Sequence, residues 1–359
     1  MCRGFRCWHD PLSTHDPYVV GEGYSLTVSS TIADTYNGRT VLITGGRGYV
    51  GSALAQSLAN VHCKLILLDR SPFDAWKPEH RRAEISLVNG DVSTRQTWDT
   101  VLPGVEYVFH LAGLEYMRSS EYDPVLDFQC NALPVLHLLE VCRRHCYHPR
   151  IVFSSSANLF GFVDILPVDE DNRDDPLIPW AVHKLMAESY LRLYAQRHGI
   201  KSIILRLANV YGPTARRSAM TRVVINKMIA DAMAGKSLTL YDNHHCVRDY
   251  IFLEDVVHAL LLAGTDSTLL DGRFYVVGSG EGKSISEVCR LIADKVRLHA
   301  GQNVPIHFDA SVKTDAFDMR NFVADITRFR HAIGWKPTMR LEQGIDVTIE
   351  SLMMAGTSQ

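Results

Sequence analysis

A glycine-studded turn, Thr44-Gly45-Gly46-Arg47-Gly48-Tyr49-Val50-Gly51, carries the clearest chemical signal in this sequence. It follows the apolar run Val41-Leu42-Ile43 and opens an amphipathic helix expected over Ser52 to Ala59. Strand, glycine turn and helix in that order form the setting of a dinucleotide-binding turn. Gly45 permits a tight turn, Gly48 lets the backbone approach a pyrophosphate, and Gly51 lets helix and strand pack closely. Tyr49 and Val50 lie where the free N–H groups of the helix start face the phosphates. A second element follows at the right distance. Leu65 to Leu68 reads as the next buried strand, and Asp69 ends it. A carboxylate there binds both ribose hydroxyls of NAD and repels the 2′-phosphate of NADP, although the adjacent Arg70 could serve such a phosphate. The cofactor expected is NAD.

These residues need a sheet to position them, and the rest of the chain supplies one. Apolar runs at Ile85–Val88, Val105–Leu111, Ile151–Phe153 and Ser202–Arg206 alternate with helical stretches, among them about Pro124–Cys146 and about Trp180–Arg197. Such alternation implies an α/β fold with a Rossmann-type doubly wound parallel sheet. After Arg206 turns such as Tyr211-Gly212-Pro213 break the pattern into short elements. That predicts a smaller C-terminal substrate-binding lobe over the carboxyl ends of the strands. The boundaries expected are an irregular extension over 1–38, a cofactor domain over 39–205 plus about 249–277, and a second lobe over about 206–248 plus 278–359. No internal repeat or low-complexity tract interrupts this.

The 359 residues carry a net charge of −3, with no basic stripe for nucleic acid. No apolar stretch reads as long enough to span a membrane, and the first forty residues lack a signal-peptide core. The eight cysteines are scattered, mostly in apolar contexts, as in a reduced, cytoplasmic protein. Cys142, His145, Cys146 and His148 are better read as a helix end than as a metal site, because no second Cys/His pair completes a zinc set. No metal is expected.

Further along, the chain resembles the extended short-chain dehydrogenase/reductase family, which includes NAD-dependent nucleotide-sugar epimerases and dehydratases. The likeness runs from about Arg39 to Leu352. It rests on the glycine turn, Gly90-Asp91-Val92, His110-Leu111-Ala112-Gly113, Asn131, Phe153-Ser154-Ser155-Ser156 and Lys184. Arg206 to Pro213, Arg248-Asp249-Tyr250 and Gly334-Trp335-Lys336-Pro337 complete the set. The motifs look most like those of the UDP-galactose 4-epimerase type. The resemblance implies that Asp91 and Val92 hold adenine. Leu111, Ala112 and Gly113 would line the pyrophosphate and nicotinamide side, with Ser154 on the same wall, and Asn131 would order the phosphate region. Ser156 would bond a sugar hydroxyl or keto oxygen, with Asn158 beside it. Asn209 and Arg248 would grip the diphosphate, for which an Arg fork is well suited. Lys184 would bond the nicotinamide ribose. A homodimer is also implied.

The departure lies at the catalytic tyrosine. The family has Tyr-x-x-x-Lys on a helix, and this chain has Trp180-Ala181-Val182-His183-Lys184. An indole N–H only donates and cannot take a proton. Trp180 then shapes the sugar pocket, and another group must act as base. Glu115 and Tyr116, just after the Ala112-Gly113 turn, are the expected replacements, whereas the helical angle of His183 turns it toward packing. The Asp-Glu pair of 4,6-dehydratases is missing, because Ala157-Asn158 follows Ser156. The usual second diphosphate arginine is also absent, and Lys313 or Arg320 would substitute. The expected activity is NAD-dependent modification of a nucleotide sugar, with epimerisation through a transient keto-sugar first. Oxidation or dehydration is the alternative, and a non-catalytic NAD- or nucleotide-sugar-binding protein is the rival of another class. Asp69→Ala should weaken NAD by roughly 1–3 kcal/mol through a lost charge-assisted bond. Calorimetric titration of NAD and NADP checks this, and equal or tighter NADP binding by the unmodified chain contradicts it.

Overall fold

The computed structural model describes residues 29–73, 81–114, 123–214, 223–265, 267–269 and 271–357. In chain order, helix α1 (Ser30–Tyr36) leads to β1 (Thr40–Thr44), α2 (Tyr49–Ala59), β2 (Lys64–Asp69) and β3 (Glu84–Asn89). Then come α3 (Arg95–Val101), β4 (Tyr107–His110), α4 (Pro124–Asn131), α5 (Leu133–His145), β5 (Arg150–Ser156), α6 (Pro179–His198), β6 (Ser202–Leu207) and β7 (Asn209–Tyr211). The remainder is α7 (Val224–Met233), β8 (Leu238–Leu240), β9 (Val247–Phe252), α8 (Leu253–Thr265), β10 (Asp271–Val277) and β11 (Gly282–Ser284). α9 (Ile285–Ala300), β12 (Ile306–Phe308), α10 (Thr327–Ile333) and α11 (Leu341–Thr357) end the chain.

Seven strands form one parallel sheet in the order β10-β6-β5-β4-β1-β2-β3. The order reverses between β1 and β4, and ligands of open parallel sheets bind at the carboxyl ends on either side of such a point. Thr44, Asp69, His110 and Ser156 all end strands on this edge. β1, β4, β5 and β6 are near-continuous buried apolar runs because helices cover both faces. The three-stranded sheet β11-β9-β7 is separate. With α7, α9 and α11 it encloses its own core around Tyr211, Phe252, Ile292 and Ile345.

Three expectations are corrected. The segment before Gly38 is not all irregular, because Ile32 and Tyr36, one turn apart, bury one face of α1. Tyr36 donates to the Leu261 carbonyl at 2.6 Å and ties α1 to α8. The stretch from Pro124 is two helices, since Pro134 has no N–H to continue the ladder past Ala132. Together, Pro124–His145 are 22 residues, long and apolar enough by composition to cross a bilayer, and half of their most apolar stretch is buried inside the fold. Finally, Phe329 and Trp335 pack into the main core and not that of the second lobe, with the Trp335 indole on the Asp255 carbonyl at 3.1 Å.

One buried ion cluster braces the sheet behind the site. The Arg206 guanidinium, wholly buried, meets Glu188 at 2.7 Å and Asp174 at 2.5 Å and lies 3.6 Å from the Phe274 ring centroid. Ser155 donates to the same Glu188 at 2.5 Å. Removing one partner of such a group strands a buried charge. Glu188→Ala should therefore cost about 3–5 kcal/mol, read as a lower urea midpoint. An unchanged midpoint contradicts this.

Candidate functional site

The helix after the glycine turn starts at Tyr49, earlier than the expected Ser52, with Gly48 as its N-cap. Gly51 is thus inside the first turn, and the N–H groups of Tyr49, Val50 and Gly51 lie before the first helical bonds. Two close approaches require glycine. A Cβ on Gly51 would stand 2.1 Å from the Gly45 carbonyl oxygen, and one on Gly45, at φ +69°, would stand 2.9 Å from the Ala112 nitrogen. The turn is therefore pressed against the end of β4. Thr44 secures the contact, because its hydroxyl accepts from the Leu111 and Ala112 amides at 3.2 Å each. With two amides already donating, the Thr44 proton goes to His110 Nδ1, 2.7 Å away. His110 is wholly buried, and burial followed by the charge of Lys184 pulls its pKa down to about 3, so the ring is neutral.

Asp69 closes the other side. One of its oxygens accepts from the Arg47 amide and the other from the Ser71 amide, each at 3.0 Å. That uses two of about four acceptor positions and leaves the others for a ligand. Arg70 reaches toward Cys130, with Asp91 also nearby. Asp91 accepts from the Ser93 amide at 2.8 Å, and the Val92 carbonyl receives the Trp98 indole at 2.8 Å. The Tyr49 side chain is spent elsewhere. Its hydroxyl donates to the Gly212 carbonyl at 2.7 Å and accepts from Asn226 at 3.3 Å, clamping the turn to the second lobe.

Helix α6 delivers the centre. Lys184 is 7% exposed, and its ammonium donates to the Ser154 carbonyl at 3.2 Å. Burial pulls its pKa down to about 8, against the opposing charges of Asp127 and Glu188. The Trp180 indole donates to the Leu114 carbonyl at 2.8 Å and packs with Leu159, Ile178 and Phe317. Trp180 is thus a brace holding the chain that leads into residue 115. Glu115 and Tyr116 themselves lie outside the described residues. His183 is not mere packing, since its Nδ1 lies 2.6 Å from Asp127, whose other oxygen accepts from Asn131 at 3.1 Å. The remaining atom of that amide, Asn131 Oδ1, is buried without a partner among the described residues, and a Cβ on Gly113 would stand 2.6 Å from it.

On the far side, Ser156 accepts from the Asn158 amide at 3.1 Å and caps a short 3-10 turn. Asn158 in turn accepts from Arg320 at 2.9 Å, joining two residues 162 apart in sequence. Arg320 also donates to the Phe317 carbonyl, and Arg248 donates to the carbonyls of Val247 and Asp318. These partners are all neutral. Burial, then the neighbouring Arg248, pulls the Arg320 pKa down to about 9, and burial lowers that of Arg248 as well. A half-buried and a buried guanidinium, side by side, hydrogen-bonded to neutral acceptors and sharing one nearby carboxylate, Asp318, form a receptor for a polyanion. Asn209 stands at the exposed end of β7 and donates to the Asp249 carbonyl at 3.1 Å. Lys313, the other arginine substitute considered, only lends its charge to Asp242.

Sequence reasoning missed Thr44, Asp127 and the Trp180–Leu114 bond. Thr44 could have been found as the polar end of an otherwise apolar strand. Asp127 could have been found as a lone carboxylate one turn before Asn131. The indole bond leaves no local pattern.

A family signature described as the NAD dependent epimerase/dehydratase family matches residues 41–278. The chain is 32% identical over 317 residues to a UDP-glucose 4-epimerase of Azospirillum brasilense, covering 83% of this chain and 87% of that one. Among solved structures it is similar to a UDP-glucose 4-epimerase of Thermotoga maritima with UDP-glucose, at TM-score 0.76 and 26% identity, covering 89% of this chain and all of that one. It is also similar to the Thermus thermophilus UDP-glucose 4-epimerase in complex with NAD, at TM-score 0.72 and 28% identity, covering 88% and 99%.

The close approach of Gly113 to Asn131 and Lys184 yields a test. Gly113→Ala would put a methyl against Asn131 Oδ1 on an exposed residue, and should weaken NAD at least about tenfold with little effect on folding. Cofactor titration beside a thermal melt measures both, and undiminished affinity contradicts the placement.

Proposed function

Because the chain belongs to the NAD dependent epimerase/dehydratase family, we propose that it interconverts the C4 epimers of a UDP-activated hexose through a transient 4-keto sugar. NAD, the cofactor of that family, fits this chain. The glycine turn packs too closely on its own backbone to admit side chains there and leaves the helix-start amides free of them, and among the described residues the buried Asn131 Oδ1 lacks a donor. Asp69, the Tyr49–Gly51 amides, Asn131 and Lys184 would hold it. When bound, it supplies a hydride acceptor and donor beside the sugar.

The observation that carries the substrate class is the Arg248–Arg320 pair, one half-buried and one buried cation side by side, whose hydrogen bonds go to neutral acceptors and whose nearest opposing charge is Asp318. A nucleotide diphosphate neutralises both. Ser156, at the end of β5, would bond the reacting oxygen, and Trp180 would wall the pocket. A non-catalytic binding protein is the second reading, favoured by the closure of Trp180 onto Leu114, which spends the only polar atom at the usual base position.

In this reading the lobes keep the expected boundaries except that α1 and α10 are assigned to the cofactor unit, which the packing of Ile32, Tyr36 and Phe329 into its core supports. A homodimer through α4 and α6 is part of this reading. Those helices pack together, and Val125, Leu126, Val182 and Met186 stand exposed on them. Six free cysteines among the described residues suit a reducing cytoplasm.

Incubation with UDP-glucose or UDP-galactose, followed by NMR of the sugar, should show conversion of one into the other. Arg248→Ala and Arg320→Ala should each weaken UDP-sugar binding by about 1.5–3 kcal/mol, through loss of a charged hydrogen bond. UDP binding without conversion or nicotinamide reduction would instead establish the binding-protein reading.

A further inference from the structure

We propose that Lys184 is itself the proton acceptor for the sugar hydroxyl, in the place where α6 lacks a phenol. The proposal rests on the ketone-forming reading above. Three features of the geometry point to it. Trp180, one turn before Lys184, is closed off, being 8% exposed with its one polar hydrogen on Leu114. Lys184 is held by a single neutral acceptor, and the rings of Phe153 and Trp180 lie 4.7 and 5.9 Å from Nζ. Its nitrogen also faces exposed Gly113, 3.6 Å from where a Cβ would stand.

The charges around this nitrogen are already engaged. Asp127, on α4, is shared between His183 and Asn131. Glu188, on α6, is shared between Arg206 and Ser155. His110, on β4, is a neutral ring. His183 lies next in sequence to Lys184, but its ring is turned to Asp127. No carboxylate among the described residues therefore touches Nζ. Burial disfavours the charged amine and pulls its pKa down to about 8. A cationic nicotinamide alongside lowers it further, because like charges in a buried site repel. An amine so placed is partly neutral near physiological pH and has a lone pair to offer, as a general base requires.

The step balances. The O–H bond of the sugar hydroxyl breaks and its proton joins the Lys184 lone pair. The C–H bond on the same carbon would give up its electron pair as hydride to a bound nicotinamide, which leaves a ketone. On return both transfers reverse, and the Lys184 proton goes back to oxygen. Ser156 holds the oxygen throughout.

The test compares single-turnover reduction of bound nicotinamide by the UDP-sugar in the unmodified chain, Lys184→Arg, Lys184→Ala and Glu115→Gln. In the unmodified chain the rate should rise with pH and level off below about 8, as the amine, its pKa lowered further by the bound nicotinamide, loses its proton. Lys184→Arg keeps the positive charge for cofactor binding but cannot accept a proton. It should retain bound NAD and lose roughly 100- to 10,000-fold in rate. Small primary amines should restore part of the rate of Lys184→Ala, which a purely structural lysine would not allow. A Lys184→Arg protein that reacts at the unmodified rate overturns the proposal. So does one that keeps activity while Glu115→Gln loses it. Should the unmodified chain convert no sugar, the epimerase reading fails, and Lys184 is judged separately by NMR of the 15N-lysine-labelled, ligand-free protein. Its resonance, assigned through Lys184→Arg, should titrate near 8, and titration together with the surface lysines overturns the assignment.

Discussion

Buried positive charge is the constraint on which the rest of this structure depends. Lys184, Arg206 and Arg320 lie buried in the fold with Arg248 half-buried beside them, and they are treated in two ways. Arg206 is fully compensated by Glu188 and Asp174 and sandwiched by Phe160 and Phe274. The hydrogen bonds of Lys184, Arg248 and Arg320 go to carbonyls and an amide oxygen, with Asp318 as the one opposing charge beside the two arginines. A buried ion that is incompletely paired is costly, so these groups are less well compensated than Arg206. They are stable neighbours for a ligand that carries negative charge, or for a reaction that needs a weakened proton grip. The compensated ion belongs to the scaffold, and the less compensated ones surround the cleft.

The scaffold keeps these charges in place through contacts that are intolerant of volume. The Gly45–Gly51 turn rests on the end of β4 with no room for a methyl group, and Thr44 bonds β1 to the Leu111 and Ala112 amides. Tyr49 then carries that geometry across to Gly212 and Asn226 in the second lobe. Cofactor cradle and anion receptor are thus linked through one phenol. Asp249, wholly buried and satisfied by the amides of Ser279, Gly280 and Ala324, fixes the strand that presents Arg248. The site is assembled from strand ends and one helix, which is the most rigid support this fold offers.

Most of this was legible where the signal is local. The turn, the strand ends at Asp69 and His110, the Lys184 helix and the Arg248 strand each follow from a short pattern of residues. The helix start at Tyr49 was misplaced because glycines read as turn, although Gly48 can cap and Gly51 can sit inside a helix. The α1 helix was missed because its two apolar residues lie in a polar stretch and are stabilised only by α8. Pairings across sequence were invisible. Nothing local says that His183 meets Asp127, that Asn158 meets Arg320, or that the Trp180 indole ends on Leu114. These contacts decide the reading of the missing tyrosine, and they exist only once helix and sheet have packed.

The central claim is that the sugar is oxidised and reduced at one carbon without exchange of hydrogen with water. The most direct measurement uses UDP-glucose carrying deuterium at C4, converted by the protein and analysed by NMR. The account predicts UDP-galactose that keeps the deuterium at C4, because the same hydride leaves and returns inside a closed site. Product with ordinary hydrogen at C4 would contradict it, as would complete absence of product with UDP-sugar bound.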